Sequence, residues 1–182
     1  MSNSSLGGAR FDDTNGEVSI SDSYLLNGSI SGDYSNTNVS IHNTTFSGPD
    51  VTGIKAQESR GNWKLKNISI ISENSPGVVL TESSGDWQLE NVYISSNHSS
   101  PGLIAKNTPG KIIIDNSIIS DVNVGVITSG LTDIDLFDVR IFESDIGIIN
   151  TGEGGSITLK GVNISHTYKG ISTTDSNASW TI

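Results

Sequence analysis

The chain has 182 residues, 34% of them apolar, no cysteine and a formal net charge of −10. That length suits one domain, and the missing thiols exclude disulfides and thiolate metal sites. Sparse Lys and Arg argue against nucleic acid, and no apolar run approaches the ~20 residues of a membrane span.

Met1–Leu6 lacks the apolar stretch of a signal peptide. Gly8-Ala-Arg-Phe11 then reads as the last strand of a rung whose beginning is absent. From Val18 the chain repeats itself. Seven segments begin alike: Val18-Ser-Ile-Ser-Asp22, Val39-Ser-Ile-His-Asn43, Trp63-Lys-Leu-Lys-Asn67, Trp87-Gln-Leu-Glu-Asn91, Ile112-Ile-Ile-Asp-Asn116, Ile134-Asp-Leu-Phe-Asp138 and Ile157-Thr-Leu-Lys-Gly161. An eighth, Trp180-Thr-Ile182, only starts. The intervals run from 21 to 25 residues, a period that marks a solenoid whose turns touch only their neighbours.

Each repeat predicts three strands. In residues 62–86, Trp63–Lys66 alternates apolar and polar, Ile68–Ile71 does so again after Asn67, Ser72–Pro76 reads as a loop, and Gly77 opens Val78–Thr81. Helix formers are scarce and no 3.6-residue pattern appears, so no helix is expected. The domain reading is one unit over 1–182: a partial rung at 8–17, seven repeats over 18–179 and the start of another at 180–182.

The strongest column is the fourth position after each anchor: Asp22, Asn43, Asn67, Asn91, Asn116, Asp138 and Gly161. A tight corner needs positive φ, which these residue types tolerate best. Stacked amides can also hydrogen-bond along the column. This reading outweighs a metal or catalytic one. Alternation points Ile, Leu, Val and Trp inward from all three strands, as stacked aliphatic columns.

The pattern apolar-x-apolar-x-Asn, apolar-x-apolar, loop, Gly-apolar resembles the right-handed, single-stranded parallel β-helix of the pectate-lyase-like superfamily, over Gly8–Ile182. The resemblance implies an all-β solenoid of about seven rungs with three parallel sheets. It also implies a choice of functions, from polysaccharide lyases and hydrolases through tailspikes and adhesins to surface-layer proteins.

In enzymes of that superfamily, catalysis sits on the outer face of the third strand. There this chain has Lys55, Val79, Ile104, Ile127, Ile149 and Ser172, onto which no lyase or galacturonase motif maps. No catalytic residue and no cofactor is assigned. Asp12 and Asp13 are adjacent, so they face opposite sides of a strand. Glu143 and Asp145 read as flanking a loop. His42, His98 and His166 fall in different rungs and do not converge. The one calcium candidate is Asp133 with Asp135, on carboxylate type alone. Asn-x-Ser/Thr occurs at Asn3, Asn27, Asn38, Asn43, Asn67, Asn97, Asn163 and Asn177; Asn97, Asn163 and Asn177 are the acceptors best placed for glycosylation.

Val79, Ile104, Ile127 and Ile149 form an outward aliphatic stripe, covered either by a loop such as 97–101 or by another protein. Phe11, Trp180 and Ile182 belong to partial rungs, whose unpaired strands suit stacking against a neighbouring segment or another copy. The expectation is a non-catalytic structural or adhesive domain of an extracellular or cell-surface protein. Its partners would be itself or adjoining β-helix segments, with glycans as further candidates. The alternative is a polysaccharide-binding or polysaccharide-cleaving β-helix.

Overall fold

The computed structural model describes residues 5–182; the Asn3 sequon lies outside them. The first eight strands are β1 (Ser5–Arg10), β2 (Asn15–Ser21), β3 (Tyr24–Ser31), β4 (Asn36–Gly48), β5 (Ile54–Gln57), β6 (Trp63–Ser72), β7 (Val78–Thr81) and β8 (Trp87–Ser95). The rest are β9 (Leu103–Lys106), β10 (Lys111–Asp115), β11 (Ile118–Ser129), β12 (Asp133–Phe137), β13 (Arg140–Thr151), β14 (Ser156–Lys160), β15 (Asn163–Thr174) and β16 (Ser179–Thr181). Every pairing is parallel, and each strand pairs with the equivalent stretch one turn away. The chain is a parallel β-solenoid of about eight turns.

Parallel pairing at one-turn offset puts like residue on like. Trp63 pairs with Trp87, Leu65 with Leu89 and Ile70 with Ile94. The two indoles stack at 4.6 Å with 15° between their planes. Inside lie Ile20, Ile41, Ile112, Leu136 and Ile157 from the anchor side, Leu25, Phe46, Ile119 and Ile141 from the second side, and Ile30, Ile54, Val78, Leu103, Val126 and Ile148 from the third, all buried. At about 25 cal/mol per Å² of apolar surface removed from water, this core is what makes a stack of individually unstable turns hold.

Three columns of positive φ bend the chain into three faces. The first is the anticipated corner, with φ of 50° at Asp22 and Asn43, 54° at Asn67, 55° at Asn91, 46° at Asn116, 51° at Asp138 and 67° at Gly161. The second runs through Asn27, Asp121, Glu143 and His166, and the third through Asp13, Tyr34, Glu58, Glu82, Asn107, Gly130, Gly152 and Asp175. Because strands bend through corners, the three faces join into one 16-stranded network rather than three separate sheets. The loop expected between second and third strands is real at Ser72–Pro76 but absent near the C-terminus. There β11, β13 and β15 run straight through one corner residue each: Asp121, Glu143 and His166. Glu143 is therefore a bend within a strand rather than the flank of a loop. At the other end, β1 starts before Gly8 and pairs with β3 from Tyr24 to Ser31.

Third corner to first corner is nine residues in every turn but one (Gly130 to Asp138, eight), whereas first corner to third varies from 12 (Asp22 to Tyr34) to 16 (Asn91 to Asn107). All but one residue of the variation in repeat length is thus taken up around the second corner.

Candidate functional site

The surface is built from columns, so each candidate site is a set of register-matched residues. At the first corner, Asn43 Nδ2 donates to Asp22 Oδ1 at 2.9 Å, Asn67 Nδ2 to Asn43 Oδ1 at 2.9 Å and Asn91 Nδ2 to Asn67 Oδ1 at 2.7 Å. Asn116 and Asp138 continue the backbone corner, and the first side chain beyond Asn116 turns elsewhere: Ser117 Oγ accepts from the Val92 amide at 2.9 Å.

A second ladder went unread in the sequence. The residue before each of three consecutive anchors accepts a backbone N–H from the next turn: Asn38 Oδ1 from Asn62, Asn62 Oδ1 from Asp86 and Asp86 Oδ1 from Lys111, at 2.9–3.0 Å. Its signal was visible, an Asn or Asp directly before Val39, Trp63 and Trp87. A third set lies inside the third corner. Ser35, Ser59, Ser83 and Thr108 are buried; Ser59 Oγ donates to Ser35 O at 3.4 Å and accepts from Trp63 Nε1 at 3.2 Å. Ser83 instead donates to Ala56 O or Thr81 O, each at 3.3 Å, and Trp87 Nε1 is left without a partner.

The calcium candidates have protein partners. Asp135 Oδ2 meets Lys111 Nζ at 2.8 Å, and Asp133 Oδ1 accepts from Ser156 Oγ at 2.8 Å. Asp135 pushes the Lys111 pKa up, first through that hydrogen bond and then through its charge. Among the described residues no group of three His, Cys, Asp or Glu could hold a metal. The histidines stay apart: His42 Nε2 is 3.5 Å from Ser19 Oγ, His98 Nε2 is 3.6 Å from Asp121, and His166 is an exposed corner rather than a loop residue. On the third-corner ridge the Glu58 carboxylate raises the Tyr34 pKa through its charge, with desolvation, a hydrogen bond to Glu58, and Asp33 and Asp13 adding.

The outward stripe is in register. Val79 pairs with Ile104, Ile104 with Ile127 and Ile127 with Ile149, all half-buried. Lys55 precedes it and Ser172 follows. Pro76, Pro101, Val124 and Ile146 lie beside it, also half-buried. The 96–101 loop is tied along the second corner, with the Ser99 hydroxyl on Glu73 O and the His98 amide on Asp121 O at 2.6 Å.

On the anchor face, small Ser19 and Ser40 lie between taller neighbours. They form the floor of a groove of about 620 Å³ walled by Glu17, Asn38, Asn62 and Lys64. The sequon residues Asn97, Asn163 and Asn177 are exposed, and Asn177 Oδ1 accepts from the Gly154 amide at 2.6 Å. Phe11 and Trp180 pack half-buried against the core, Trp180 over Ile157, while Ile182 is exposed.

No protein-family model matches the chain, and no curated protein matches it. A solved structure with some likeness is a trypsin-treated variant of QnrB1, described as a plasmid-mediated fluoroquinolone resistance protein. It is 11% identical, aligned over 89% of this chain and 92% of that one, with a TM-score of 0.34. A likeness that slight carries no argument about what this chain does.

Proposed function

We propose that this solenoid is a non-catalytic structural or adhesive module of an extracellular surface protein, with the right-handed path of the pectate-lyase-like superfamily it resembles. The observation that carries the reading is the occupant of the third face. Where that superfamily's enzymes set acids and bases, four consecutive turns present Val79, Ile104, Ile127 and Ile149 in register. Aliphatic side chains cannot transfer protons or bind a cation, but they can contact another surface. The stacked indoles, the amide ladder and the buried hydroxyl column all favour one rigid shape, which suits a spacer or a scaffold.

A second reading rests on the anchor-face groove. Glu17, Ser19, Asn38, Ser40, Asn62 and Lys64 offer hydroxyl, amide and charged groups one turn apart, about 4.8 Å, a pattern suited to the hydroxyls of a polysaccharide. One experiment separates the two. The chain is incubated with a panel of plant, bacterial and animal polysaccharides, reading new reducing ends and unsaturated products, and is hybridised in parallel to a glycan array. Neither turnover nor binding is expected. Turnover of any polymer would overturn the structural reading, and array binding abolished by Lys64→Ala would establish the groove.

A further inference from the structure

The amide ladder of the first corner stops halfway along the rod, and a cleft opens where it stops. In its bonded part each corner amide donates Nδ2 to the Oδ1 one turn back, as Asn43 does to Asp22, Asn67 to Asn43 and Asn91 to Asn67. Residue type ends the series. Asp138 has no N–H to give Asn116, and Gly161 has no side chain to give Asp138. The Asn91 Oδ1, the Asn116 side-chain amide and the Asp138 carboxylate are left exposed, with no protein partner among the described residues.

Across from this ridge stands a second wall. Tyr93, Ile118 and Arg140 stack in register on the second face. The Tyr93 ring is tied by its hydroxyl, which accepts from Ser120 Oγ at 3.3 Å. Between the walls lies a cleft of about 280 Å³, floored by buried Val92 and Ser117. Three turns at about 4.8 Å spacing make it roughly 10 Å long. The floor hydroxyl is already used, since Ser117 Oγ accepts from the Val92 amide and donates to Asp115 O.

One end of the cleft is charged. Of the seven first corners, only that of Asp138 has a cation two residues on, Arg140; the same position elsewhere holds Tyr24, Thr45, Ser69, Tyr93, Ile118 and Asn163. Yet Asp138 and Arg140 form no ion pair with each other among the described residues. The guanidinium stands 5.5 Å from the centroid of the Phe142 ring, an attraction that holds it in place. Opposite charges that share a cleft without meeting leave room for a molecule that carries both.

We propose that this cleft binds a free zwitterionic α-amino acid with an apolar or aromatic side chain. The ligand's carboxylate takes the forked donors of Arg140. Its ammonium donates to the Asp138 carboxylate and the Asn116 amide oxygen, the acceptors that the interrupted ladder leaves open. Its side chain lies along the floor against Ile118 and Tyr93, toward the uncharged end. A volume at the small end of ligand clefts suits one amino acid rather than a peptide. The site is independent of the anchor-face groove and of the role the solenoid serves.

Calorimetric titration of the full chain with L-phenylalanine or L-leucine is expected to show one site of micromolar to millimolar affinity. Phenethylamine lacks the carboxylate and phenylpropionate lacks the ammonium. Each should bind at least about tenfold more weakly, as expected for losing a charge-assisted hydrogen bond. Arg140→Gln and Asp138→Asn should each lose as much while keeping the wild-type circular dichroism, whereas Lys64→Ala should bind as wild type does. Gly161→Asn stands outside the cleft walls, but it gives Asp138 the missing ladder donor and should weaken binding several-fold. A wild-type chain that binds neither amino acid at millimolar concentration overturns the proposal. So does equal binding of either analogue, or undiminished binding by a folded Arg140→Gln.

Discussion

The turns from Trp63 to Ala105 and those from Asp133 to Thr181 share their first and third corners but differ at the second corner and in their interiors. In the middle, two indoles stack, Leu65 lies on Leu89 and Leu80 on Ala105, and Asn67 and Asn91 continue the amide ladder. Further along, the position of Leu80 and Ala105 becomes Thr128 and then Asn150, both buried, with Thr128 Oγ1 donating to Asn150 Oδ1 at 2.9 Å and Asn150 Nδ2 donating to Ser176 Oγ. The position of buried Val122 becomes Ser144, whose hydroxyl has no partner. At the corner, Gly161 takes positive φ without a side chain. The backbone is therefore specified by the register and by three corners per turn. What fills the inside can change from apolar contact to hydrogen-bonded column, as at Thr128 and Asn150, and the stack accepts a buried hydroxyl without a partner at Ser144.

The contrast can be broken most sharply at the indoles. Trp63→Ala should cost about 3–5 kcal/mol in urea-induced unfolding, because it empties a fully buried volume and unstacks Trp87. Ile164→Ala, where the side chain is only half-buried, should cost about 1–2 kcal/mol. Equal costs would mean that the middle turns are no better packed than the last ones.

Glycines sharpen it next. A Cβ on Gly85 would sit 2.0 Å from the Gly61 carbonyl oxygen, and one on Gly110 would sit 2.1 Å from that of Gly85, whereas one on Gly170 meets nothing within 4 Å. Backbone cannot swing aside as a side chain can. Gly85→Ala should therefore lose roughly 2–3 kcal/mol, and Gly170→Ala should stay within about 0.5 kcal/mol of wild type by the same unfolding measurement. At the first corner, Asn67→Ala removes two ladder hydrogen bonds and strains a residue at φ 54°, for about 1–2 kcal/mol. Gly161→Asn need displace only the end of the Asp138 side chain and should change stability by less than about 1 kcal/mol.

The smallest effect is alkaline. Lys111 and Tyr34 both have raised pKa values in the folded chain, through Asp135 and Glu58 respectively. A group that holds its proton more tightly when folded contributes stability that is complete below its unfolded pKa and fades as pH rises through the folded one. For these two groups that window opens above about pH 10. Melting temperatures of the wild type and of Asp135→Asn should differ at pH 9 and converge by pH 12; a difference that grows across this range would reverse the assignment.

Much of this was legible because period and alternation are global signals. Inward Ile, Leu and Trp, the parallel stacking, and the Asn/Asp identity of one corner all come from residue types that have few other reasons to recur every 23 or so positions. The other two corners were hidden. Glu58, Glu82, Tyr34 and Glu143 adopt positive φ although nothing about Glu or Tyr favours it; stacking on the neighbouring turns overrides local preference. The hydroxyl column of Ser35, Ser59 and Ser83 was hidden for a related reason. A Ser beside a turn looks like surface until the third dimension shows it pointing inward. The outward stripe could be read from alternation alone, whereas the anchor-face groove depends on relative side-chain heights, which a one-dimensional pattern does not carry.

The unequal spacing of the corners gives the molecule an expansion joint. One stretch of every turn is held to nine residues, or once eight, while the stretch through the second corner ranges from 12 to 16. Turns with the larger count keep their flanking strands in unbroken register with turns that have fewer. A peptide spliced in between Ser72 and Pro76 would therefore project sideways without shifting any stacked column. New recognition loops can be added to this rod at that corner in the turns that already loop there, while its length and stiffness stay the same.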